Sequence, residues 1–187
     1  GGDGGDGETA TDPVGAPSSS AASGAGARDL TATATAKTPG NAPAATEVGG
    51  GRATFVAANL LDADPATAWR VAGDATGEEI VLTLPQETTI TRVGLVNGYA
   101  KIAKNAAGEK FDWYHGNRTV TKAAWLFDDR TQVEQVLERD RALQSIDIDD
   151  VTTTTITLRL LQVTAPGTGR ASRDFTALSD VSLSGTS

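Results

Sequence analysis

The chain has 187 residues, with 16 Lys and Arg against 24 Asp and Glu, one histidine and a formal net charge of -8. That balance excludes wrapping a nucleic-acid backbone, which needs clustered cations, and disfavours direct docking to anionic lipid. Cysteine and methionine are both absent; disulfides, thiolate catalysis and thiolate metal sites are thereby excluded, and a piece excised or processed from a longer protein is expected.

No apolar stretch approaches the roughly 20 residues needed to cross a bilayer, so this piece is expected to be soluble, with any membrane association supplied by a parent segment outside it. Residues 1–29 contain no aromatic residue and are rich in Gly, Ser, Ala and Pro. Such a composition favours a disordered, hydrated linker over a packed element. A single domain is expected over residues 30–187.

Within that domain the elements follow in order. LTATATAK (30–37) alternates Thr with Ala or Leu and predicts a short strand at a sheet edge. Residues 38–50 read as a loop, and FVAANLL (55–61) as either a single turn or a short extended piece. EEIVLTLP (78–85) puts Ile80, Leu82 and Leu84 on one face, and TTITRVGLVNGY (88–99) continues with Ile90, Val93, Leu95 and Tyr99. The phase slips between Ile90 and Val93, as a bulge or bend allows. RTVTKAAWLFDD (118–129) alternates, with Trp125 and Phe127 on the face opposite Leu126. TQVEQVLE (131–138), LQSIDID (143–149), TTTITLRLLQVTAP (153–166) and FTALSDVSLSG (175–185) predict four more strands. No window holds a helical stripe, and about eight short strands divided by turn residues predict an all-β sandwich or barrel.

NLLDADPATAW (59–69), GEEIVLTLPQETTITRVGLVNGYAK (77–101) and FTALSDVSL (175–183), in that order and spacing, resemble the discoidin, or F5/8 type C, superfamily. NGYAK, WYHGNRTVTKAAWLFDDRT, LQSIDI and RLLQVTAPG resemble more narrowly its bacterial NADase-type glycan-binding, or translocation, domains. The resemblance covers about Leu30 to Gly185. It implies a discoidin-like (galactose-binding-like) jelly-roll β-sandwich, and a subgroup that in actinobacteria sits outside the membrane on membrane-anchored proteins. It does not imply cleavage of NAD.

The resemblance also implies a structural Ca²⁺ site. Asp62 and the Thr67 hydroxyl and carbonyl would wrap the ion, joined by the carbonyls of Asn59, Asp64 and Ser179 and by the Asp180 side chain. Hard Ca²⁺ takes such oxygen ligands. Two departures stand out: Asp180 replaces the usual Glu, and Ala63 replaces the usual Gly at a position where positive φ would strain it. On the residues alone, Asp62, Asp64 and Thr67 serve equally well as turn caps. Trp69 is expected in the core.

The segment 97–118 is the longest excursion and carries Tyr99, Phe111, Trp113, Tyr114 and the one histidine, His115. Aromatic faces suit sugar rings, and Asn, Arg and His bond hydroxyls. Tyr99, Trp113, Tyr114, His115, Asn117 and Arg118 are therefore the candidate ligand contacts. The same side chains would also serve to pin the loop to the sandwich. The loop 165–175, with Arg170 and Arg173, is expected to border the same rim. No nucleophile–base pair, phosphate-cradling loop or His-rich metal centre is legible, so no enzyme is expected. Two functions stand open: an extracytoplasmic module for a glycan or cell-envelope component, and a protein-interaction or structural ectodomain. A monomer is expected in either case.

Overall fold

The computed structural model describes residues 26–186. Most of the expected linker (residues 1–25) and Ser187 lie outside the described residues. Among the described residues thirteen strands are formed: β1 (Arg28–Asp29), β2 (Thr35–Lys37), β3 (Ala45–Thr46), β4 (Arg52–Ala53), β5 (Trp69–Ala72), β6 (Glu79–Val96), β7 (Ile102–Lys104), β8 (Lys110–Asp112), β9 (Val120–Phe127), β10 (Gln132–Val136), β11 (Gln144–Val163), β12 (Phe175–Leu178) and β13 (Asp180–Thr186). One helical turn, α1 (Trp113–Gly116), stands among them.

The framework is one sheet of order β1-β13-β6-β11-β9-β10, with β2 also pairing β6. Its two longest members, β6 and β11, pair antiparallel along their lengths and change register between Asp147 and Val151 and again between Thr153 and Thr155. At those breaks the paired strands pass from one layer to the other. The later half of β6 lies beside β13, and its early half beside β2. This is how one sheet closes into a jelly-roll sandwich. Ile80, Leu82, Ile90, Leu95, Trp125, Ile156, Leu158, Leu160 and Leu183 meet in a single core, each fully buried. Each such side chain contributes about 1.5–3 kcal/mol on burial.

The all-β expectation holds, and two strands expected at 78–85 and 88–99 prove to be one. The slip read between Ile90 and Val93 is a bulge: β13 residues Ser184 and Gly185 face Arg92 and Ile90, leaving Thr91 extra. Gly185 is required there, since a Cβ would come within 1.9 Å of the Thr89 carbonyl oxygen.

Three elements differ from expectation. Thr31–Thr33 form a 3₁₀ turn, and only Thr35–Lys37 of LTATATAK pair as a strand. The Asp29 carboxylate accepts from Thr31 N (2.9 Å) and the Thr33 hydroxyl donates to the Leu30 carbonyl (2.7 Å); such local bonds compete with a ladder. Among the described residues pairing begins at Arg28, opposite Gly185. FTALSDVSLSG divides at Ser179 into β12, which pairs β5, and β13, which pairs β6. That division brings the loop before β5 against the last strand.

Candidate functional site

Asn97, at the end of β6, organises the start of the long excursion. Its amide donates to the carbonyls of Val120 (2.8 Å) and Glu138 (3.0 Å), and its oxygen accepts from the Tyr114 hydroxyl (2.8 Å). Tyr114 is 2 % exposed and packs its ring over Gly98, where any Cβ would meet it at 2.8 Å. The chain then makes the β7–β8 hairpin and enters α1. Asp112 caps that turn, accepting from Tyr114 N (3.2 Å), His115 N (3.3 Å), the His115 ring Nδ1 (2.7 Å) and Arg141 (2.6 Å). Burial alone would raise the Asp112 carboxyl, but the bonds from Arg141 and His115 outweigh it and hold the group down at about 2.

The loop 165–175 packs tightly over α1. Gly167 N and Arg173 N both donate to the Gly116 carbonyl, at 3.1 and 3.0 Å. Arg118 ion-pairs with Asp174 at 2.6 Å and also donates to the Thr164 carbonyl. Asn117 is buried and donates to the Trp113 carbonyl at 2.9 Å. Of the six candidate ligand residues, Tyr114, Asn117 and Arg118 are thus engaged in holding the loop in place, the alternative role the sequence offered for them. His115 is exposed but engaged by Asp112, and it does not line the cleft described next.

Tyr99 and Trp113 do come together. Their rings stack at 6.5 Å, with Phe111 tilted against Trp113 (5.5 Å) and Phe55 edge-on to Tyr99 (6.1 Å). They wall a cleft of about 170 Å³, floored by Arg70 of β5 and closed by Glu47, Lys101 and Arg173. Arg173 lies over the Trp113 ring at 5.1 Å, which puts the expected neighbouring loop on the rim. Lys101 is bound to Glu47 at 2.6 Å. Burial, with Glu47 nearby, pushes the Tyr99 hydroxyl up to about 12.

Arg70 went unnoticed in the sequence. It is 7 % exposed, and its guanidinium carbon stands 3.8 Å from the Phe55 ring centre and 4.1 Å from that of Phe175. Its Nε is buried without a hydrogen-bond partner. Burial lowers it to about 10, still charged at neutral pH. The available signal was a lone cation directly after Trp69, in a strand otherwise apolar.

The acidic loop lies behind the cleft. Asp62 accepts from Asp64 N (3.0 Å) and from the Thr67 hydroxyl (2.5 Å), and Asp64 accepts from Ala66 N (2.9 Å). These are turn-capping bonds. They leave Asp180 unsatisfied: it is 6 % exposed and its Oδ1 is buried without a partner. Burial, then the adjoining Asp62 carboxyl and the charge of Asp64, raise Asp180 to about 7. Ala63 adopts φ 53, the left-handed conformation at a cost of about 1–2 kcal/mol. Among the described residues no three His, Cys, Asp or Glu side chains are grouped as a metal cage, so a cation here would rest on two carboxylates, the Thr67 hydroxyl and backbone carbonyls. An orphaned buried carboxylate oxygen facing a second carboxylate fits a hard cation. Asn59 closes the loop, donating to the carbonyls of Thr54 and Ala68. Ser179 joins loop to cleft: its hydroxyl donates to the Pro65 carbonyl (2.9 Å) and accepts from Ala100 N (3.0 Å). Trp69 is fully buried as expected, its indole N–H donating to the Gly40 carbonyl.

No match is found among curated proteins. Among solved structures the chain is similar to the family 32 CBM of NanJ from C. perfringens, determined in complex with galactose (TM-score 0.55, 11 % identity, covering 84 % of this chain and 98 % of that one). It is similar also to CpGH89CBM32-5 from Clostridium perfringens, in complex with GalNAc-β-1,3-galactose (TM-score 0.55, 16 % identity, 83 % and 99 % covered). A fucolectin from striped bass (Morone saxatilis) serum shares the fold at TM-score 0.53 and 10 % identity, over 86 % of this chain and 48 % of that one. At these identities the likeness speaks for the fold alone. The model of the NAD glycohydrolase translocation F5/8 type C domain, however, matches residues 34–184, and the chain belongs to that family.

Proposed function

We propose that this domain is a non-catalytic carbohydrate-binding module, receiving a terminal sugar in the cleft formed by Tyr99, Trp113, Arg70 and Arg173. The observation that carries the reading is the stacked pair Tyr99–Trp113 forming one wall of a preformed cleft into which Glu47, Arg70, Lys101 and Arg173 bring polar groups among small apolar side chains. An aromatic wall takes the apolar face of a sugar ring, and convergent polar groups fix its hydroxyls. The fold shared with modules solved in complex with galactose and GalNAc-β-1,3-galactose supports it. A protein-docking face would offer a contiguous apolar patch; among the described residues the exposed large apolar side chains are Val56, Ile102, Val136 and Leu143, on four separate segments.

The module acts outside the cytoplasmic membrane, as part of a membrane-anchored parent, on a cell-wall or other envelope glycan. Among the described residues no helix is long and apolar enough to cross a membrane. A structural Ca²⁺ held by Asp62, Thr67, Asp180 and the carbonyls of Asn59, Asp64 and Ser179 braces the loop behind the cleft.

A glycan array combined with calorimetry tests the reading. Trp113→Ala is expected to weaken any glycan detected at least tenfold, with an unchanged far-ultraviolet spectrum. Undiminished binding by that variant would place the site elsewhere.

A further inference from the structure

Arg70 is the most buried arginine of the described chain, and no carboxylate among the described residues pairs with it. Arg92, Arg118, Arg141, Arg159 and Arg170, all more exposed, are each paired with a carboxylate. Arg70 has only two aromatic rings beside it, and its Nε is buried with no acceptor. A desolvated charge without a counter-charge is strongly unfavourable, so positions like this persist where something else supplies the partner. The rest of the cleft does not supply it. Glu47 is taken by Lys101, and Arg173 donates to the Arg170 and Ser172 carbonyls while facing Trp113. In a chain of net charge -8, this cleft therefore carries two guanidiniums beyond its one internal ion pair.

We propose that the sugar bound in this cleft bears a carboxylate, and that Arg70 receives it. The inference rests on the carbohydrate-binding reading and narrows it to acidic saccharides. Rings within 3.8 and 4.1 Å of the guanidinium carbon stack against it and Nε is buried, so a ligand in the cleft approaches the terminal nitrogens along the edge. A planar carboxylate meets that edge in a coplanar, bidentate fork, whereas a tetrahedral sulfate or phosphate directs oxygens toward the rings. Tyr99 and Trp113 then take the sugar ring, and Arg173 closes over it from the rim. The cleft, at about 170 Å³, is small against the roughly 300–1,000 Å³ of drug-sized pockets and suits one terminal residue.

The test uses matched probes on the whole chain: galacturonate and glucuronate oligosaccharides, their carboxyl-reduced forms, and neutral oligosaccharides bearing sulfate. The acidic members are expected to bind at least tenfold tighter than both counterparts. Arg70→Met, which keeps the length and apolar body of the side chain, is expected to abolish that preference while melting no lower than the parent. In the unsubstituted protein, the Arg70 Nε–H resonance is expected to shift with galacturonate and stay put with galactose. Neutral and acidic forms bound equally, or a preference that survives Arg70→Met, would overturn the carboxylate while leaving the sugar site standing. A preference for sulfate over carboxylate would overturn it too. Failure of every saccharide, acidic or neutral, would remove both readings. Should Arg70→Met fail to fold, the Nε–H titration decides alone.

Discussion

Two buried charges of opposite sign lie on either side of Ser179, and each lacks a partner at one atom: Asp180 at Oδ1 behind the acidic loop, and Arg70 at Nε on the floor of the cleft. They differ in what the chain does about it. A carboxylate has a second option, because a proton removes the charge, and Asp180 is raised to about 7. An arginine has none: lowered to about 10, Arg70 remains charged, and aromatic faces are the partial answer available to it. A site of the first kind tolerates its partner's absence. One of the second kind has no such escape, which is why the acidic loop is proposed as a structural brace and the cleft floor as a binding position.

The largest expected effect that probes this contrast is at the acidic loop. Ca²⁺ at a hundred times its Kd adds about 2.7 kcal/mol of stability, a rise of roughly 5–10 °C for a chain of this length. Stripping the metal first and melting with and without Ca²⁺ checks it; Asp180→Asn should remove the response. An identical pair of melts would leave only the turn-capping bonds of Asp62, Asp64 and Thr67, and the comparison would lose its structural half.

A smaller effect is expected at Ala63, whose φ of 53 is left-handed. Ala63→Gly should stabilise the domain by about 1 kcal/mol, or roughly 2–4 °C. Loss of stability on that change would mean the loop is not strained as described.

The smallest effect comes from Asp112, a carboxylate whose partners are all in place. Its folded-state value of about 2 lies below the ordinary 3.8, so its contribution is full above about pH 4 and is lost as pH falls toward 2. Because the group is partly exposed, that contribution is modest, under about 1 kcal/mol. Asp112→Asn should lower the melting temperature slightly at pH 7 and converge with the parent near pH 2. Parallel curves over that range would show that the Arg141 and His115 bonds do not set its ionisation.

The contrast between the two charges also marks what was legible in the chain. Alternation shows in single residues, so Trp125 and Phe127 share a face opposite Leu126 as read, and that face is the buried one; the slip from Ile90 to Val93 was visible as a bulge or bend. The acidic loop and Asp180 were legible through resemblance, since Ser179 and Pro65 meet across 114 positions. Arg70 was not legible. Its environment is assembled from Phe55, Phe175 and Tyr99, which come from three distant segments, and nothing local in WRVA announces burial of the cation. Tyr114, Asn117 and Arg118 were legible only as having two alternative roles, for the converse reason: polar and aromatic residues that pin a loop have the same composition as residues that meet a ligand. LTATATAK alternates as a strand does, yet the Asp29 and Thr33 side chains satisfied its first turn locally.

β13 gives the module a direction. It begins at Asp180, next to the loop and the cleft, and ends beside β1, where Gly185 faces Arg28. Seven extended residues at about 3.4 Å each put the two ends of the described chain side by side, roughly 20 Å from Asp180. The two described ends thus lie together at the end of β13 away from Asp180. A tether on either side would therefore attach at the far end of β13 from Asp180 and leave the proposed binding face free of it.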